Sequence, residues 1–261
     1  MNIQWNAKDY TQNFSFVHQY GNDLLALIDG EGLSVLDLGC GNGALTHRLQ
    51  QAGYEAEGMD ASPEQLEAAR LSWPELTFRL GDAADFQVDR SYDVVFSNAV
   101  LHWIDEARQD DMLRCVNRAL KPGGQFIFEL GGRGNNALIH GALEQSFAHR
   151  GLAYQRPFYF PSVGQYASRL ERAGFRVTYA VLFDRPTPLN GADGLYDWLR
   201  MFIKTPFEQM DQGEQEDILR ETVRALEGAL YREGVWYSDY VRLRCRAVKE
   251  REPEGQEKPA H

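Results

Sequence analysis

The sequence predicts an α/β fold built on a doubly wound sheet. Three observations carry this. Short apolar segments alternate with helical ones through the first half of the chain, the pattern of parallel strands joined by right-handed crossovers. A glycine-rich turn, Gly39-Cys40-Gly41-Asn42-Gly43, follows the first apolar segment. Asp60 then closes the second, roughly 20 residues on, where an acidic side chain has a defined place in such folds.

Each element follows from its residues. Phe14, Val17, Leu24, Leu25 and Ile28 share one face of a helix over 11–29. Val35, Leu36 and Leu38 mark a strand over 33–38. A helix over 43–52 is ended by Gly53, and a strand follows over 54–60. Ser62-Pro63-Glu64-Gln65 reads as a helix start, with Ser at the N-cap, Pro at N1 and Gln at N3. Trp73-Pro74 stops that helix. Strands are expected over 76–80 and 92–98, the latter apolar enough to be buried on both faces. Asp105 opens a helix that turns Met112, Leu113, Val116 and Leu120 inward, and Lys121-Pro122-Gly123-Gly124 leads into a strand over 125–130. Helices over 135–149 and 162–173, a strand over 175–183, a helical stretch around Leu195, Trp198, Leu199 and Phe202, and a longer helix over 213–231 come next. Val241, Leu243, Cys245 and Ala247 alternate with Arg242, Arg244 and Arg246, which describes a half-buried strand with its arginines in solvent.

Composition narrows the function. A chain of 261 residues suits one α/β domain with an elaboration. A net charge of −11 disfavours nucleic-acid partners and anionic membrane surfaces. Three dispersed cysteines (Cys40, Cys115, Cys245) fit a reducing compartment and neither a disulfide framework nor zinc. Six histidines show no metal-ligand spacing, so no metal is expected. A polar start without a signal-peptide pattern predicts a cytoplasmic location, and residues 249–261 carry no large apolar side chain and read as a disordered tail.

The glycine turn and Asp60 together describe a nucleoside-containing cofactor. Two classes use such a turn, and Asp37 discriminates between them. A pyrophosphate would be repelled by a carboxylate two residues before the first glycine, whereas the ammonium of S-adenosylmethionine is attracted to it. A bracing role for Asp37 within its own loop is the other reading.

Five stretches in order resemble the class I S-adenosylmethionine-dependent methyltransferases: residues 35–43, the Gly58-Met59-Asp60-Ala61-Ser62 turn, Gly81-Asp82-Ala83, residues 92–98, and residues 120–128. Trp5-Asn6, residues 98–103 and Asp197-Trp198-Leu199 are similar to the trans-aconitate 2-methyltransferase-like group, although His102 stands where that group is expected to carry Gln. The resemblance implies a seven-stranded Rossmann-like sheet with a last antiparallel strand. It also implies one domain over 1–248, with a helical cap inserted at about 186–235 over the active site. Asp37, Gly39, Cys40, Gly41 and Gly43 would hold the methionine part, Asp60, Ala61 and Ser62 the ribose, and Asp82 and Ala83 the adenine. Ser97, Asn98 and Ala99 would lie under the sulfonium, with Tyr10 and Phe14 folding over the cofactor.

The expected reaction is methylation of a small molecule, by a monomer or homodimer without membrane or nucleic-acid partners. His102 is a candidate general base or pocket wall. If the acceptor is a carboxylate it needs no base, only a cation to orient it, and Arg133 is the candidate. Tyr154, Tyr159, Tyr166, Trp198, Trp236 and Tyr237 are candidates for the cap lining. The alternatives are a non-catalytic S-adenosylmethionine-binding module, a methyltransferase acting on a macromolecule, and an NAD-dependent oxidoreductase.

Overall fold

A computed structural model describes residues 23–251 of the chain. Trp5, Tyr10 and Phe14 therefore lie outside the described residues, as do residues 252–261 of the expected tail. Of the helix expected over 11–29 only the end is described, and it stops at Leu25.

Eight strands form one sheet: β1 (Ser34–Leu38), β2 (Glu55–Asp60), β3 (Thr77–Leu80), β4 (Tyr92–Asn98), β5 (Leu120–Gly131), β6 (Phe175–Pro188), β7 (Tyr231–Arg232) and β8 (Val235–Lys249). Their order is β3-β2-β1-β4-β5-β8-β6, with β7 paired to β8. The first five strands run parallel, and β8 is antiparallel to both β5 and β6. The strand beyond the expected seven is β7, a two-residue hairpin partner of β8. The helices are α1 (Ala44–Gln51), α2 (Pro63–Ser72), α3 (Gln109–Ala119), α4 (Ala137–Ala148), α5 (Val163–Arg172), α6 (Gly194–Phe202) and α7 (Gln212–Leu230).

Two boundaries moved for identifiable reasons. Leu120 is not the last inward residue of a helix. It opens β5 opposite Tyr92, and a register irregularity between Tyr92 and Val94 absorbs the Pro-Gly-Gly turn, with Gly123 at φ 80°. The strand expected over 175–183 continues to Pro188 because β8 pairs with it as far as Tyr237. Its polar second half is tolerated at the sheet edge, where one flank meets solvent.

The central strands are apolar because helices cover both faces of the sheet. Leu36, Val95, Phe126 and Phe128 pack under α3 and α5 on one face, and Val35, Val94, Phe96 and Ile127 pack with α1 on the other. A separate apolar cluster joins α4 to α6 and α7, the segment between β6 and β8.

Two of the β8 arginines are not in solvent, whereas Arg246 is half-exposed and pairs with the exposed Asp29. Arg242 is only 7% exposed and stacks 4.1 Å over the Tyr240 ring. Arg244 bonds Glu129 at 2.9 Å, and Arg185 of β6 grips the same carboxylate with two contacts of 2.5 and 2.9 Å. Both edges of β8 are paired and packing covers the Arg242 and Arg244 side chains as well, so each of these charges must find a partner.

Candidate active site

The chain leaves β1 for β2 and β3 on one side, then returns to β4 on the other. The gap between the ends of β1 and β4 is thus the topological switch point, where such sheets bind ligands. The glycine turn is shaped by that position. A Cβ on Gly39 would meet Val100 at 2.4 Å and one on Gly43 would meet Phe78 at 2.6 Å, whereas the Gly41 position is open. All three sit at positive φ, which suits glycine. The amides of Gly39 and Cys40 both donate to Met59 O, that of Gly41 to Asp60 Oδ2 and that of Gly43 to Cys40 O. Those four N–H groups are committed internally, so they do not form the open anion cradle that a pyrophosphate uses.

Asp37 is 1% exposed and accepts a 2.7 Å bond from the Thr46 hydroxyl of α1. Burial pushes its carboxyl up to about 7, the Thr46 bond opposes this, and the Asp60 charge adds to it. Asp60 ties two turns together: its Oδ2 accepts from Gly41 N and its Oδ1 from Ser62 N, each at 2.8 Å. Burial raises its pKa, and these amide bonds work against the rise. Ser62 caps α2 by accepting from Gln65 N. The Gln65 side chain does not reach back to the cap. Its buried Oε1 has no hydrogen-bond partner and lies 3.9 Å from where a Gly41 Cβ would be. Gln65 was legible only as a helix-start residue, since nothing in the sequence says that its amide turns toward the glycine loop. Ala61 is exposed beside it. Cys40 is buried with its thiol pKa pushed well up by burial, which makes it an inert filler.

Asp82 is occupied at both oxygens, by Ala84 N and by Arg108, each at 2.9 Å, with Ala83 half-buried beside it. Ser97 is fully buried and spends its hydroxyl on Leu38 O, so it stitches β4 to β1. Asn98 is buried at the strand end, and Ala99 follows at φ 60°, a conformation that costs a non-glycine residue of order 1 kcal/mol or more.

His102 is buried one helical turn beyond. Its Nδ1 accepts the Gly131 amide at 3.2 Å. Burial, aided by the Arg242 charge, keeps its pKa well below the usual value. Arg242 lies opposite Gly131 in the β5–β8 ladder. Arg133 is exposed in the turn after β5. Of the aromatic candidates, Tyr166 is not in the cap at all: it is buried in the main core and bonds Gln109. Tyr159 packs on that same core. Trp198 bonds Tyr240 and Trp236 bonds Ala192 O, both structural contacts. Tyr237 pairs with Pro188 in the β6–β8 ladder. Tyr154 reaches His140 of α4.

A doubly wound sheet whose glycine turn and acidic side chains meet at the switch point is the arrangement expected of an S-adenosylmethionine-dependent methyltransferase. A model of the methyltransferase domain matches residues 35–124. An uncharacterised methyltransferase of Schizosaccharomyces pombe is 35% identical over 260 residues, covering 94% of this chain and 98% of that one. The trans-aconitate 2-methyltransferase of Methylobacterium nodulans is 30% identical, covering 85% and 88%. The chain belongs to this methyltransferase family. Solved structures share the fold. An S-adenosylmethionine-dependent methyltransferase of Mesorhizobium loti matches with a TM-score of 0.53 at 19% identity, covering 87% of this chain and 96% of that one. A phosphoethanolamine N-methyltransferase of Haemonchus contortus, in complex with S-adenosylhomocysteine, matches with a TM-score of 0.58 at 16% identity, covering 94% and 57%. Among the described residues no helix is long and apolar enough to cross a membrane.

Proposed function

We propose that this enzyme methylates a carboxylate of a small organic acid. One observation carries the reading. The histidine beyond β4 has Nδ1 engaged as an acceptor of the Gly131 amide, which places its proton on Nε2. Burial and Arg242 hold the ring neutral. Such an imidazole donates a hydrogen bond but is poorly placed to accept a proton, so the general-base role is set aside. Hydroxyl and ammonium acceptors need a base, whereas a carboxylate is already ionised at neutral pH. Orientation of the acceptor by Arg242 replaces the role first given to Arg133, because Arg242 is the buried cation beside His102. Membership beside trans-aconitate 2-methyltransferases supports the same acceptor class.

The crevice fits the cofactor. The side-chain-free Gly39–Gly43 turn makes a close floor, Asp37 offers a buried carboxylate to an ammonium, and the unpartnered Gln65 Oε1 lies at the Gly41 end. Asp60 retains lone pairs for ribose hydroxyls, with Ala61 and Ser62 as neighbouring wall. Asp82 and Ala83 stand at the adenine end, and Arg108 must share Asp82 with any ligand there. S-adenosylmethionine supplies the activated methyl group when bound. The chain supplies alignment and exclusion of water, a contribution of about 7–11 kcal/mol in well-oriented systems. Asn98 and Ala99 shape the floor of the transfer site, His102 and Arg242 hold the acceptor oxygen, and the segment between β6 and β8 covers it as a cap.

The test is methyl transfer to trans-aconitate and to simpler carboxylates. His102→Gln, which keeps an N–H donor, is expected to retain most activity, and His102→Phe to lose roughly tenfold or more in kcat/KM. The kcat should be flat between about pH 6.5 and 9. A unit slope of log kcat with pH across that range would reinstate a general base and overturn the carboxylate reading.

A further inference from the structure

Two helices of this chain start with the same pattern, a serine at the N-cap and a glutamine three residues on. At α5 the pattern closes on itself: Gln165 N donates to Ser162 Oγ, and Ser162 N donates back to Gln165 Oε1 at 2.9 Å. At α2 it does not. Ser62 Oγ accepts from Gln65 N, but Ser62 N donates to Asp60 Oδ1 at 2.8 Å. Asp60 has taken the donor that Gln65 Oε1 would otherwise use. Gln65 is only 4% exposed, and among the described residues its Oε1 has no hydrogen-bond partner. Buried polar atoms are satisfied in the great majority of cases, so this acceptor lacks a donor that the folded chain does not supply.

Its surroundings say which donor. Oε1 lies 3.9 Å from where a Gly41 Cβ would stand, and apart from the chain neighbours of Gly41 no other described residue comes within 4 Å of that point. The space over Gly41 is therefore open, and the amide oxygen borders it. Gly41 and Asp60 are half-buried and Ala61 is exposed, so solvent reaches this rim. Gly41 N donates to Asp60 Oδ2, so both side chains meet the same glycine. Asp37 belongs to the β1 side of the turn, where it bonds Thr46 of α1, so Gln65 stands with Asp60 at the ribose end and not at the ammonium end. A carboxylate offers about four lone-pair positions. Gly41 and Ser62 occupy one on each oxygen of Asp60, and the Ala61 amide bears on the same group. Little is left for a diol that brings two hydroxyl donors.

We propose that Gln65 is a cofactor-binding residue whose Oε1 accepts a hydrogen bond from one of the two ribose hydroxyls, so that Asp60 and Gln65 divide the diol between them. This goes beyond the acceptor reading and rests on the placement of the ribose beside Asp60. The pocket thereby selects a ribonucleoside over its deoxy counterpart, with a neutral acceptor for one hydroxyl and a charged one for the other.

The experiment measures by calorimetry the affinity of wild type and Gln65→Met for S-adenosylhomocysteine and for its 2′-deoxy and 3′-deoxy analogues. Methionine matches the length of glutamine and carries no comparable acceptor. Wild type should bind each deoxy analogue roughly tenfold more weakly than the parent, the range of one buried hydrogen bond. In Gln65→Met the parent should bind roughly tenfold more weakly than it does to wild type, the penalty for one analogue should vanish, and the penalty for the other should persist. The ligand-free variant should also melt about 2–4 °C higher, because an unsatisfied buried oxygen has been removed. Unchanged penalties for both analogues overturn the role of Gln65 alone. A lower Tm with unchanged affinity for the parent assigns Gln65 to the fold and overturns it as well. If wild type penalises neither analogue, the ribose does not sit at Asp60, and this inference falls with that placement.

Discussion

Asp37 shows how much one side chain can carry. A carboxylate enclosed with one hydroxyl donor is poorly solvated, which is why burial raises its pKa to about 7. An ammonium placed beside it would favour the ionised form and draw the pKa back down. Cofactor binding should therefore release a proton below neutrality. We expect the affinity for S-adenosylmethionine to weaken by up to about tenfold per pH unit below pH 7, a dependence that Asp37→Asn abolishes along with much of the affinity. Calorimetry in buffers of different ionisation enthalpy measures the proton directly, and no release at pH 6 would remove Asp37 from the ammonium site. Without ligand the sign is opposite for the fold. The native state holds the Asp37 proton more tightly than the unfolded chain does, so this group's contribution to stability declines from about pH 4 to pH 7.

At the scale of elements, the site depends on contacts that cross the chain. The start of α4 is not capped by its own residues: Asn136 sits at φ 52° without a side-chain cap bond. The first turn is held instead by Asp239 of β8, whose carboxylate takes the Leu138 amide at 2.8 Å. A carboxylate at a helix N-terminus also complements the helix dipole. Asp239→Ala is expected to cost about 1–2 kcal/mol of stability, read as a lower midpoint in urea. An unchanged midpoint would show that the Asp239 carboxylate does not hold the start of α4. No local pattern around residue 136 signals this arrangement, because the capping group lies about a hundred residues away in the chain.

Across the whole molecule, Glu129 joins three strands that the chain visits at different times. It is 2% exposed, and Arg185 of β6 and Arg244 of β8 both bind it from their places in the ladder. Its own backbone oxygen accepts from Ala99, the strained residue under the crevice. Removing the charge takes the shared anion from two enclosed guanidinium groups. Glu129→Gln should destabilise the fold by about 3–5 kcal/mol, whereas replacing all three residues with apolar ones of similar size should recover most of that loss. Denaturation of the single and triple variants decides it, and a single variant as stable as wild type would contradict the account.

The glycine turn, Asp60, the alternation of the first five strands and the start of α2 were legible because each rests on local chemistry: backbone freedom at three glycines, strand and helix periods, a serine cap. The sequence thereby determined the α/β class and the cofactor. It could not say that Arg244 is enclosed and paired, since alternation describes one strand and not what lies on either side of it. Nor could it say that Tyr166 belongs to the main core, that Gln65 turns to the glycine loop, or that His102 is buried. Those facts depend on which distant segments are brought together, and only the folded chain sets the burial, partners and protonation from which the acceptor is inferred.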